Sequence, residues 1–83
     1  MERAYNPVNG FTYNVEKKIG VISEHSGTSK ELNLISFNGA PARYDLRTWK
    51  RAPGETPKMY KGITLTEEEA RLLYNLLSKE LEI

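Results

Sequence analysis

The sequence predicts an α+β domain in which four antiparallel strands are followed by one C-terminal helix. Three observations carry this. Four stretches between residues 11 and 65 alternate apolar and polar residues with a period of two. Turn-forming residues separate them. Residues 67–81 then run without Pro or Gly behind a helix-capping signature. The order β-β-β-β-α points to an antiparallel sheet covered on one face by a helix. At 83 residues the chain has the length of one domain. A domain of that size buries only roughly 60–65% of the surface its unfolded chain exposes, so its core is small.

The first strand begins at Phe11. Phe11, Tyr13 and Val15 alternate with Thr12, Asn14 and Glu16, and Ile19 and Val21 continue the parity, with Gly20 a candidate bulge. Ahead of it, Asn6-Pro7 and Asn9-Gly10 are turn pairs without periodicity. Residues 1–10 therefore read as a flexible N-terminal arm, and 11–83 as the domain. Residues 24–28 form a turn. Leu32 and Leu34 alternate with Asn33, Ile35 and Phe37 in a second strand closed by Asn38-Gly39, a strong hairpin signal. Ala40-Pro41 follows and predicts a loop longer than two residues.

The third strand covers about Ala42–Trp49. Tyr44 and Leu46 share one parity, the expected core face, while Arg43, Asp45, Arg47 and Trp49 share the other. In residues 50–58, two prolines and Gly54 forbid regular structure, and Pro53-Gly54 suits the centre of a type II turn. The fourth strand is expected over Met59–Leu65. Thr66-Glu67-Glu68-Glu69 is a capping box, and its three acids stand at the positive end of the helix dipole.

The helix is apolar over an arc of about 200° at 100° per residue. Packing on one sheet needs a stripe of little more than ~100°. The surplus, centred on Leu72 and Leu76 and continued by Leu73, is assigned to a homodimer interface. The alternative is a helix sunk deeply into a curved sheet.

Composition narrows the function. With no Cys and one His, disulfide scaffolds, thiolate zinc sites and His-rich metal clusters are excluded. No apolar run approaches the ~20 residues that span a bilayer. No secretory signal is visible, so the expected location is cytoplasmic. His25 stands in a turn with no orienting partner, and no P-loop or dinucleotide fingerprint is present. An enzyme, a cofactor, a metal and a small-molecule substrate are therefore not expected. Asp45 and Arg47, two apart on one strand face, read as an ion pair that orients the arginine.

The net charge of +1 is unevenly spread: residues 1–65 hold ten bases and six acids, residues 66–83 two bases and five acids. One surface should attract anions. Bases and rings interleave over residues 37–61, where Phe37 and Trp49 lie among Arg43, Arg47, Lys50, Arg51, Lys58 and Lys61. A single-stranded nucleic acid offers phosphates to such cations and π-faces to such rings. A protein partner could use the same Arg/Trp face, since both residues are enriched at interfaces.

The stretch Tyr44-Asp45-Leu46-Arg47-Thr48-Trp49, the Pro-Gly loop, and Lys61-Gly62-Ile63-Thr64-Leu65-Thr66 before an amphipathic helix resemble the transcriptional coactivator family called positive cofactor four. Lys30-Glu31-Leu32-Asn33-Leu34 and Phe37-Asn38-Gly39 look more like its bacterial YdbC-type branch. The resemblance covers roughly residues 11–81. It implies a curved four-stranded antiparallel sheet and one helix, paired through the helices into a homodimer. It also implies grooves that bind single-stranded DNA with little sequence preference, in transcription, replication or repair. By position, Phe37 matches a base-stacking ring, Arg47 the third-strand arginine and Lys61 the lysine before Gly-Ile. Trp49 sits at or one residue before a stacking ring. Ala40 stands where the family has a base, and Arg43 is its expected substitute. Nothing resembles the coactivator's Ser-rich regulatory N-terminal region. The expected site is then Lys30, Arg43, Arg47, Lys50, Lys58 and Lys61 on phosphates, with Phe37 and Trp49 on bases. Single-stranded RNA and a protein partner are the alternatives.

Overall fold

In a computed structural model, the backbone is described for residues 2–6 and 11–83, and side chains for residues 12–83. Five strands form one antiparallel meander: β1 (Glu2–Asn6), β2 (Phe11–His25), β3 (Thr28–Phe37), β4 (Arg43–Lys50) and β5 (Lys58–Leu65), in the spatial order β1-β2-β3-β4-β5. One helix, α1 (Glu67–Leu81), follows. The four expected strands and the helix are all present.

Part of the stretch expected to be a flexible arm supplies β1, whose backbone pairs Glu2 with Val15 through Asn6 with Phe11. Backbone pairing needs no side-chain alternation, so sequence periodicity did not signal it. The expected turn residues at positions 7–10 lie outside the described residues.

The turns form as their residues dictate. Ser26 and Gly27, at φ 48° and 83°, join β2 to β3. Asn38 and Gly39 also have positive φ, and the Ala40 amide donates to the Phe37 carbonyl at 2.9 Å. β4 resumes only at Arg43, so the connection is longer than two residues, as expected. The Asn38 side chain fastens this turn to β2, accepting from the Thr12 amide at 2.9 Å. The Glu55 amide donates to the Ala52 carbonyl at 3.1 Å around Pro53-Gly54, closing the expected turn.

β2 is longer than its partner because it carries three irregularities, between Val15 and Lys17, Lys18 and Gly20, and Val21 and Ser23. Each bulge bends the strand and increases its twist. Each also resets parity: Lys18 comes to face Asn33 and Val21 to face Glu31, so Val21 returns to the face of Tyr13 and Val15 only by way of two bulges. A further bulge between Arg47 and Trp49 in the β4–β5 pairing sets Met59 opposite Trp49, while Ile63 pairs with Leu46. Met59 thus leaves the face of Ile63 and Leu65 and packs against the core.

The two faces exchange their expected roles. The core is Tyr13, Val15, Ile35 and Trp49, flanked by Phe37 and Met59. It lies on the face that also carries Asp45 and Arg47. Tyr44 and Leu46, expected in the core, are only half-buried. Tyr44, with Leu32 and Leu65, lines the shallow apolar groove beside Ala70, Leu73 and Leu77 of α1.

α1 begins as its capping box requires: the Thr66 hydroxyl accepts from the Glu69 amide at 3.1 Å, and the Glu69 carboxylate accepts from the Thr66 amide at 2.8 Å. No residue of the helix is buried. Its Leu72, Leu73, Tyr74, Leu76, Leu77 and Leu81 are all exposed. The radius of gyration is 14.0 Å, against about 12 Å for a compact chain of this length.

Candidate nucleic-acid interface

β3 and β4 build the site through their register. Glu31 lies opposite Arg47, Asn33 opposite Asp45, and Ile35 opposite Arg43. Alternation puts all of these on the core face, and three are polar and buried: Glu31, Asn33 and Asp45. Buried charges need partners, and two arginines supply them.

Arg47 donates from Nε and Nη2 to the two Asp45 carboxylate oxygens, at 2.6 and 2.5 Å, and from Nη1 to the Tyr60 carbonyl at 3.1 Å. Asp45 therefore orients Arg47, as its spacing predicted. The guanidinium carbon lies 5.4 Å from the Phe37 ring centroid. Gly62 makes this arrangement possible. It pairs with Arg47, and a Cβ there would stand 2.1 Å from Arg47 Cβ and 2.6 Å from the Leu46 carbonyl oxygen.

The second pair was missed by sequence reasoning. Arg51 donates from Nε and Nη2 to Glu31, at 2.9 and 3.0 Å. Ser29 donates to the same carboxylate, and the Asn33 amide reaches it at 3.4 Å. Burial pushes the Glu31 carboxyl up, but hydrogen bonds from Arg51, Ser29 and Asn33, with the Arg51 charge, outweigh it and hold the group below its ordinary value. Arg51 Cζ lies 4.7 Å from the Trp49 ring centroid. The available signal was Glu31 and Asn33 on the parity of Ile35, two polar groups on a core face that had to find donors.

The expected site residues separate. Phe37, Arg43, Arg47 and Trp49 share the core face. Lys30 pairs with Thr48, and Lys50 with Thr28 and Lys58, so these three lysines lie on the opposite face. Lys61 is exposed beside the β5 bulge, and Lys58 Nζ lies 5.7 Å from the Tyr60 ring. Phe37 is half-buried and Arg43 exposed.

Trp49 corrects its expectation. It is 1% exposed, with the Tyr13 ring edge-on at 5.6 Å and Arg51 above it. Tyr13, Arg51 and the surrounding core cover the indole, so Trp49 supports the surface instead of presenting a ring to it. Its Nε1 is buried without a hydrogen-bond partner among the described residues. Arg47 is corrected in part: Asp45 and Tyr60 engage its donors, so it is not a free cation awaiting phosphate.

One open sheet, one helix and a cationic surface laid over aromatic rings fit the class of small, sheet-based nucleic-acid-binding domains. The sequence profile of transcriptional coactivator p15 (PC4) matches residues 25–76. An uncharacterized protein of Treponema pallidum (strain Nichols) is 44% identical over 69 residues, covering 82% of this chain and 78% of the relative. The chain belongs to the transcriptional coactivator p15 (PC4) family, which is DNA-binding, coactivator-like and non-enzymatic. The family-like stretches Tyr44–Trp49 and Lys61–Thr66 both fall within the matched region. No helix among the described residues is long and apolar enough to cross a membrane.

Proposed function

We propose that the chain is a homodimeric single-stranded DNA-binding protein with little sequence preference, serving transcription, replication or repair. The observation that carries this is the pair of guanidinium–aromatic stacks on one face of the sheet, Arg47 on Phe37 and Arg51 on Trp49. Guanidiniums held over rings offer surfaces to bases, and stacking tolerates any base. Arg43 and Lys61 add exposed charge beside them. Lys30, Lys50 and Lys58, on the other face of the same sheet, raise the local potential within a Debye length of roughly 8–10 Å and draw the strand in.

The homodimer reading rests on α1. Its exposed leucines and the large radius of gyration describe a subunit whose apolar helix still lacks cover. A second copy, joined about a twofold axis through Leu72, Leu73 and Leu76, supplies it.

Fluorescence anisotropy with oligo-dT at two salt concentrations, alongside light scattering, tests both parts. Affinity should fall with salt, with a log–log slope of about −0.7 per phosphate contacted. Scattering should give twice the 9.5 kDa of one chain. Salt-independent or absent binding would refute the DNA reading. Competition with a matched RNA oligomer decides which polymer is preferred.

A further inference from the structure

We infer that Arg51, held over Trp49 by Glu31, is a base-stacking subsite in which the guanidinium itself is the platform. This deepens the proposed function and rests on it. Arg51 keeps 32% of its side chain exposed, while the indole beneath is buried. The guanidinium carbon stands over the ring, 4.7 Å from its centroid, and the side chain lines an open cavity shared with Lys18, Val21, Glu24, Ser29, Glu31 and Asn33. The cavity measures about 320 Å³, within the range of small-ligand pockets. An Arg plane is a recognised stacking surface for unpaired bases.

The floor of the cavity decides what the subsite reads. A carboxylate has about four lone-pair positions. Two Arg51 donors, the Ser29 hydroxyl and the Asn33 amide engage those of Glu31. Glu31 keeps no acceptor with which to distinguish one base edge from another. Glu31 therefore fixes the platform without reading sequence, and the subsite takes any base by its face. The lysines at positions 30, 50, 58 and 61 lack a planar cation and cannot substitute in this role.

The test is Arg51→Lys, which keeps the charge and removes the plane. Two probes are titrated by anisotropy: oligo-dT and an abasic oligomer of equal length, which has the phosphates but no bases. The variant should bind oligo-dT at least about fivefold more weakly and the abasic oligomer as wild type does. Unchanged affinity for oligo-dT would overturn the inference. An equal loss on both probes, with an unchanged unfolding midpoint, would make Arg51 a phosphate contact and also overturn it. Wild-type tryptophan emission gives a second readout that needs no variant, because Trp49 is the sole tryptophan. Oligo-dT should shift that emission and the abasic oligomer should not; equal shifts would count against the subsite. If wild type binds neither probe, the DNA reading itself fails. If it binds and only the Arg51 result is absent, this inference fails alone.

Discussion

Gly62 faces Arg47 across the β4–β5 pair so closely that a side chain cannot be added without moving a strand: its Cβ would lie 2.1 Å from Arg47 Cβ. The three nearest atoms, Arg47 Cβ, the Leu46 carbonyl oxygen and Arg47 Cα, are on or next to the backbone, so no flexible side-chain end can yield. Gly62→Ala is expected to destabilise the fold by about 1–3 kcal/mol through overpacking. It should also weaken oligo-dT binding by shifting Arg47 off Phe37. Urea unfolding and anisotropy measure the two effects.

Glu31 makes stability depend on acid. Its folded carboxyl titrates below the ordinary 4.5, so the unfolded chain binds more protons near that pH. The stabilisation is present above 4.5 and is lost as pH falls through the lower folded value. Melting midpoints of wild type should therefore drop more steeply below pH 4.5 than those of Glu31→Gln. Parallel curves would show that the Arg51–Glu31 pair contributes nothing to the acid limb.

Trp49 should behave as a core residue. Trp49→Ala removes the ring between Tyr13 and Arg51 and is expected to cost about 3–5 kcal/mol. That is a large share of the order of 4–12 kcal/mol typical for 83 residues. Trp49→Phe keeps a ring and deletes the unpartnered Nε1, so its cost should be less than half as great. Denaturant midpoints rank the two, and a negligible loss in Trp49→Ala would contradict the burial.

Leu76 is 67% exposed on a helix with no buried residue. Leu76→Glu should leave the single subunit folded and reduce the scattering mass from twice 9.5 kDa to that value. An unchanged mass would place the subunit contact elsewhere.

Much of this architecture was legible in the chain. The helix start followed from Thr66 and Glu69, whose reciprocal hydrogen bonds need only their spacing. The turns followed from Asn38-Gly39 and Pro53-Gly54, where local backbone preference decides. The Asp45–Arg47 pair followed from strand alternation. What was not legible came from pairing between strands. A bulge belongs to two strands at once, so the parity of Met59 or Ile19 could not be taken from its own strand. Trp49 was misplaced for a related reason. Arginines sharing its parity suggested a wet face, but Glu31 and Asp45, buried on that face, neutralise them and let it close. The pairing of Arg51 with Glu31 escaped notice because the two lie 20 residues apart.

The irregular β2 has one more consequence. Its outer margin is covered by β1 only over Phe11–Val15, so among the described residues positions 16–25 have no strand on that side. That margin holds exposed Ile19, Val21 and Ile22, the kind of flat apolar border on which foreign chains polymerise. Three inserted residues break the regular rhythm of donors and acceptors along it. An approaching chain finds no continuous ladder to extend, and the molecule is guarded against fibre growth along this border.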